Sequence, residues 1–102
     1  MERRRVVITG LGAVTPLGLT AADTWQAVRE GRCGIGPITQ FDPADQKVKL
    51  AAEVKGFVPE NYLPKPEAKR MGRFTQFAVV AAKEAMADAA FTLAEDEEDR
   101  CG

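Results

Sequence analysis

Val6-Val7-Ile8-Thr9-Gly10-Leu11-Gly12-Ala13-Val14-Thr15-Pro16-Leu17-Gly18 is the stretch on which the fold turns. Val6–Thr9 is a β-branched run bounded by glycine, which predicts a short strand buried on both faces. Gly10, Gly12, Pro16 and Gly18 then punctuate a loop. Glycine permits positive φ or close backbone approach, and proline fixes a turn. Thr20-Ala21-Ala22-Asp23 places an N-cap hydroxyl three residues ahead of a carboxylate. A helix is predicted through Trp25, Ala27 and Val28, with Gly31 as its C′ stop. Strand, Gly-rich loop and capped helix make the opening of an α/β unit.

Working outward, residues 31–47 hold Gly31, Gly34, Gly36, Pro37 and Pro43, and are predicted to be an irregular connection. Leu50–Val54 is predicted as a short strand closed by Gly56. Pro59, Pro64 and Pro66 argue against regular structure in the next stretch. One long helix is predicted from Glu67 to Ala90. At roughly 100° per residue, Met71, Phe74, Ala78, Ala82, Ala85 and Ala89 share one broad face. Arg73, Gln76, Lys83, Glu84 and Asp88 fall opposite, with Phe77 and Val80 intruding among them. Such a helix is apolar over more than half its circumference and wants neighbours on several sides. Its alanines also permit close approach of another backbone. Glu95–Asp99 is a run of five acids, read as a solvated segment.

The chain has 102 residues, with 14 Lys+Arg, 15 Asp+Glu and no histidine. That is room for one small domain at most. Without histidine, the commonest general base and the commonest metal ligand are gone. Net charge of −1 gives no reason to expect nucleic acid or a membrane surface as partner. No apolar run approaches the roughly 18–20 residues of a membrane span. The basic start Arg3-Arg4-Arg5 mimics a signal peptide, but its apolar run stops short of the roughly 7–15 residues an h-region needs. Cys33 and Cys101, far apart, read as free thiols in a reducing cytoplasm.

Candidate chemistry is sparse. Gly10-x-Gly12 lacks the third glycine of a dinucleotide fingerprint, where Thr15 stands, and Pro16 sits where a helix should start. A structural Gly-rich turn is the stronger reading, and no cofactor site is expected. Gly12 to Gly18 has the wrong spacing for a P-loop. Cys33 and Cys101 have no base to activate them. The acids Glu95–Asp99 lack the spacing of a calcium loop, so no metal site is expected. Lys65, Lys69, Arg70 and Arg73 form a basic cluster interrupted by Glu67. It reads either as an ordinary solvated helix end or as a docking patch for an acidic partner.

Arg4–Gly18 resembles the amino-terminal signature of β-ketoacyl-acyl-carrier-protein synthases, the synthase II type above all. The similarity continues through Thr24-Trp25-x-Ala27-Val28, Gly31-x-x-Gly34-Ile35, Phe41-Asp42 and Val54-x-Gly56-Phe57. It extends to Lys69-Arg70-Met71-x-Arg73-Phe74-Thr75-Gln76-Phe77-Ala78. The resemblance implies the opening part of a thiolase-like α/β/α/β/α fold, with residues 1–102 as a partial domain and a homodimer in the full-length family. It implies decarboxylative condensation of an acyl thioester with malonyl-acyl carrier protein, with no cofactor consumed. A cysteine in a Thr-Ala-Cys-type context, two histidines and a lysine carry that chemistry in the family. Neither Cys33 nor Cys101 has that context, so no catalytic residue is carried over.

The resemblance assigns Lys69 and Arg70, with adjacent Lys65, to contact with the acidic acyl carrier protein. Pro66 stands where relatives can carry another base, which weakens or displaces the patch. Gly72 stands where many relatives have an acid. Inside a helix it would cost roughly 0.8–1.0 kcal/mol relative to alanine. The expectation is a cytoplasmic, non-catalytic portion of a condensing enzyme. The competing expectation is a stand-alone module that binds the carrier protein or modulates the dimer.

Overall fold

A computed structural model describes residues 2–101. Met1 and Gly102, which the sequence reading includes in its partial domain, lie outside them. Thr20 caps α1 (Ala21–Arg29) with extended backbone, at φ −135° and ψ 165°. Its Oγ1 accepts from the Asp23 amide at 3.1 Å, satisfying a donor that a helix start leaves without an intrahelical partner. At the far end the Gly31 amide donates to the Val28 carbonyl and the Arg32 amide to the Ala27 carbonyl. Gly31 has φ +72°, so α1 ends in a Schellman motif with glycine in the left-handed position. Both ends fall where the local residues predict them.

β1 (Ile35–Pro37) and β2 (Leu50–Ala52) pair antiparallel, with Gly36 opposite Ala51. β2 lies within the strand predicted at Leu50–Val54. β1 corrects the reading of residues 31–47 as irregular throughout. Three residues that include a glycine and a proline carry no strand pattern, and distant contacts fix the pairing. The Ile38 amide donates to the Lys49 carbonyl at 3.0 Å. Glu53 accepts from the Thr39 amide at 2.9 Å, the Thr39 hydroxyl at 3.0 Å and the Gln40 amide at 3.1 Å. These bonds, the Thr39 amide foremost, hold the Glu53 carboxyl below the usual glutamate range.

The predicted single helix Glu67–Ala90 is two helices, α2 (Lys65–Lys69) and α3 (Arg73–Ala89). Gly72 is the N-cap of α3, with φ −70° and ψ 163°, so the helix-interior penalty does not apply to it. The prolines also permit more order than expected. Pro59 opens a 3-10 turn over Pro59–Asn61, and Pro66 sits in the first turn of α2, where a missing amide hydrogen costs no helical bond. Ala90 ends α3 at φ +51°. The Phe91 amide donates to the Met86 carbonyl there, so alanine fills the place glycine takes after α1. The acids Glu95–Asp99 lie in an exposed 3-10 segment, Glu95–Arg100.

Only part of the predicted apolar face packs, with Met71, Ala85 and Ala89 half-buried. Gln76 and Val80 are buried, whereas Phe74 is 80% exposed and Ala78 and Ala82 face outward. Val80 joins Phe57, Leu63 and Ala68 in the core, with Val14, Leu19, Met71 and Phe77 packed around it. The Phe57 and Phe77 rings meet edge to face at 4.9 Å. A helix apolar over most of its circumference offers several faces, and the described residues cover the side bearing Gln76 and Val80 and, through Gly10 and Gly12, the side bearing Ala81 and Ala85.

The strand predicted at Val6–Thr9 does not form. Among the described residues no strand pairs with it. Val6 is 93% and Ile8 82% exposed, because a strand needs a neighbour for its N–H and C=O groups. The following residues do dock. Gly10 and Gly12 lie against α3 so closely that a Cβ on Gly10 would fall on the Ala85 carbonyl, and one on Gly12 on the Ala81 carbonyl. The Leu11 amide donates to Asp88 at 3.0 Å and the Ala13 amide to Glu84 at 2.9 Å. Glu84 also accepts from the Ala21 amide at 3.1 Å. The Gly-rich stretch is thus a packing element bound to the alanine row of α3. The radius of gyration is 17.5 Å, against about 13 Å for a compact domain of this length.

Candidate functional site

Lys65, Lys69 and Arg70 come together on α2. Lys65 and Lys69 stand four residues apart on one helix face, and Arg70 is the C-cap at φ −86°. All three are exposed, and among the described residues none joins an ion pair. The platform beneath them is anchored. Leu63, just before the helix, is 4% exposed and Ala68 within it 3%. The Gln76 Nε2 donates to the Ala68 carbonyl at 3.0 Å and to the Met71 carbonyl at 3.4 Å. Three cations therefore stand on a short helix whose underside is fixed in the core.

Arg73 separates from the other cations. Its Nη2 donates to the Val54 carbonyl at 2.8 Å. Its guanidinium lies over the Phe77 ring at 5.0 Å and the Phe57 ring at 5.9 Å from the centroids. Arg73 thus ties the start of α3 to the segment after β2.

Cys33 is exposed, and its Sγ donates to the Ile35 carbonyl at 3.8 Å. Cys101 is exposed in the terminal segment. Among the described residues no three metal-ligating side chains converge. A cleft of about 370 Å³ is lined by Leu19 and Thr20 ahead of α1, Asn61 and Tyr62 at the 3-10 turn, and Val80, Lys83 and Glu84 of α3. None of these residues is a nucleophile paired with a base. No helix is long and apolar enough to cross a membrane among the described residues.

Helical periodicity puts Gln76, Glu84 and Asp88 opposite the apolar face. The structure makes all three anchors: Gln76 for α2, Glu84 and Asp88 for the Gly10–Ala13 segment. Their backbone partners lie far away or across a helix break, so helical periodicity holds no signal for them.

Comparison with known proteins covers the same span. Residues 3–102 match the model of the β-ketoacyl synthase N-terminal domain. The chain is 50% identical over 102 residues to 3-oxoacyl-[acyl-carrier-protein] synthase 2 of Synechocystis sp., covering 100% of this chain and 24% of that protein. It is 46% identical over 101 residues to the synthase 2 of Staphylococcus aureus strain COL, again 24% of the relative's length. Among solved structures, the ishigamide ketosynthase/chain length factor superposes with TM-score 0.76 and 38% identity, covering 96% of this chain and 23% of that one. A β-ketoacyl synthase from Burkholderia phymatum STM815 gives TM-score 0.72 and 34% identity, covering 95% and 24%. The described helices and two-stranded sheet are therefore part of a thiolase-like ketosynthase architecture. The chain belongs to the β-ketoacyl synthase N-terminal domain family and spans about a quarter of the length of the curated relatives it matches.

Proposed function

We propose that residues 1–102 form the opening, partial domain of a synthase II-type 3-oxoacyl-acyl-carrier-protein synthase, an acyltransferase. That enzyme condenses an acyl thioester with malonyl-acyl carrier protein, releasing carbon dioxide, in fatty-acid elongation. The observation that carries this reading is the match along the whole chain to relatives bearing that name. Within it, the chain supplies a scaffold and a carrier-protein docking surface, Lys65, Lys69 and Arg70. A homodimer and a cytoplasmic setting accompany the reading. The sequence has no histidine, and neither Cys33 nor Cys101 stands in a Thr-Ala-Cys-type context, so residues outside these 102 would supply the nucleophile and the oxyanion donors.

The state of the three cations supports docking. Each is exposed and has no carboxylate partner among the described residues. Exposed ion pairs are worth only about 0–1 kcal/mol each. The patch therefore orients and steers an acidic partner more than it binds it tightly. The test uses a chimeric synthase in which residues 1–102 replace the matching segment of the Synechocystis relative. Lys69→Glu with Arg70→Glu should raise KM for malonyl-acyl carrier protein by roughly tenfold at low salt and flatten its salt dependence. An unchanged KM at low salt would sink the docking assignment.

A further inference from the structure

We infer that Gln76 sets the direction in which Lys65, Lys69 and Arg70 meet their partner. It is a positioning residue for the docking surface, and the inference rests on the docking reading above. Gln76 is the buried polar side chain of the described core, 8% exposed. A buried amide must find partners, and this one spends its Nε2 on carbonyls outside its own helix, those of Ala68 and Met71.

Those carbonyls matter because α2 cannot hold itself. It is five residues long and has no side-chain N-cap, far below the length at which a helix persists alone. Among its ties in the described residues, two differ in kind. One is burial of Leu63 and Ala68, which is non-directional. Ala68 has only a methyl side chain, so its contact fixes depth more than rotation. The other is the Gln76 bond, which is directional and ends in the last turn of α2. Gln76 itself sits one turn into α3, where its amide donates to the Gly72 carbonyl at 3.0 Å. The rotation of α2, and with it the heading of the Lys65 and Lys69 face, is thereby referred to the long helix.

The experiment compares Gln76→Met with the parent chimeric synthase and with the Lys69→Glu/Arg70→Glu chimera. Methionine keeps the shape and removes the donor. KM for malonyl-acyl carrier protein should rise about fivefold, the effect of one such hydrogen bond. Expected alongside it are an unchanged kcat, an unchanged salt slope, and unchanged turnover of acyl and malonyl N-acetylcysteamine thioesters, which need no docking. Gln76→Asn, whose amide is withdrawn by one methylene, should behave alike. If charge reversal raises KM and Gln76→Met does not, the Gln76 inference fails while docking stands. If charge reversal leaves KM unchanged, the docking reading fails. Equal losses on carrier-bound and carrier-free substrates, or failure of both Gln76 variants to fold, would make Gln76 a general fold residue and overturn the inference.

Discussion

Gly12 lies directly against the backbone of Ala81, and a Cβ at position 12 would fall on the Ala81 carbonyl oxygen and 2.9 Å from the Ala85 amide nitrogen. The neighbours are helix backbone, which cannot swing aside as a flexible side chain could. Gly12→Ala should therefore destabilise a synthase carrying this segment by about 2 kcal/mol or more, by overpacking. Gly36→Ala is the control, because nothing lies within 4 Å of a Cβ there. It should stay within about 0.5 kcal/mol of the parent. Denaturant midpoints of the two variants in the chimeric synthase check the contrast. Equal midpoints would mean the Gly-rich stretch does not press on α3.

Glu53 gives the β1–β2 pair a pH dependence of known sign. Its folded-state pKa is lowered, first by the Thr39 amide, then by the Thr39 hydroxyl and Gln40 amide against an opposing desolvation cost. A lowered carboxylate pKa means stabilisation that is present above the unfolded-state value and lost as pH falls through the folded-state value. The Thr39 and Gln40 amides should lose protection, measured against their intrinsic exchange rates, as the solution is acidified below the ordinary glutamate range. Glu53→Gln should remove that acid-dependent change. Amide exchange of Thr39 that follows only the intrinsic pH trend would refute the assignment.

The 102-residue chain alone should unfold without sharp cooperativity. Among the described residues its buried apolar side chains are Ala27, Phe57, Leu63, Ala68 and Val80. Val6, Ile8, Trp25 and Phe74 are all more than 60% exposed. Entropy losses of order 1–2 kcal/mol per ordered residue need more burial than this to be offset cooperatively. A broad thermal transition by circular dichroism is expected. A sharp two-state transition of the monomer, with agreeing calorimetric and van't Hoff enthalpies, would contradict it.

What was legible in the sequence is what local chemistry determines. Thr20 and Gly31 mark both ends of α1 because a cap is a short-range bond to a neighbouring backbone group. Gly10 and Gly12, with the alanines of α3, were legible as residues that let backbones meet. The motifs from Arg4 to Ala78 carried the family. Val6–Thr9 misled because strand propensity cannot supply a partner strand. The break at 70–72 was hidden because tertiary bonds from Gln76 help set it, against a helical period that runs straight through. Glu84 and Asp88 fall opposite the apolar face, and a helical wheel does not show that Ala13, Ala21 and Leu11 bring amides for them to bind. Lys65, Lys69 and Arg70 were legible as a cluster, but the removal of Arg73 needed the Val54 carbonyl and two aromatic rings.

Condensation by the chimeric synthase, with residues 1–102 in place of the matched 24% of the Synechocystis relative, tests the central claim most directly. The measured quantity is formation of 3-oxoacyl-acyl carrier protein from acyl and malonyl carrier-protein substrates. The expected rate is within about tenfold of the parent synthase, a barrier difference under roughly 1.4 kcal/mol. A folded chimera that forms product only at the background rate would contradict it.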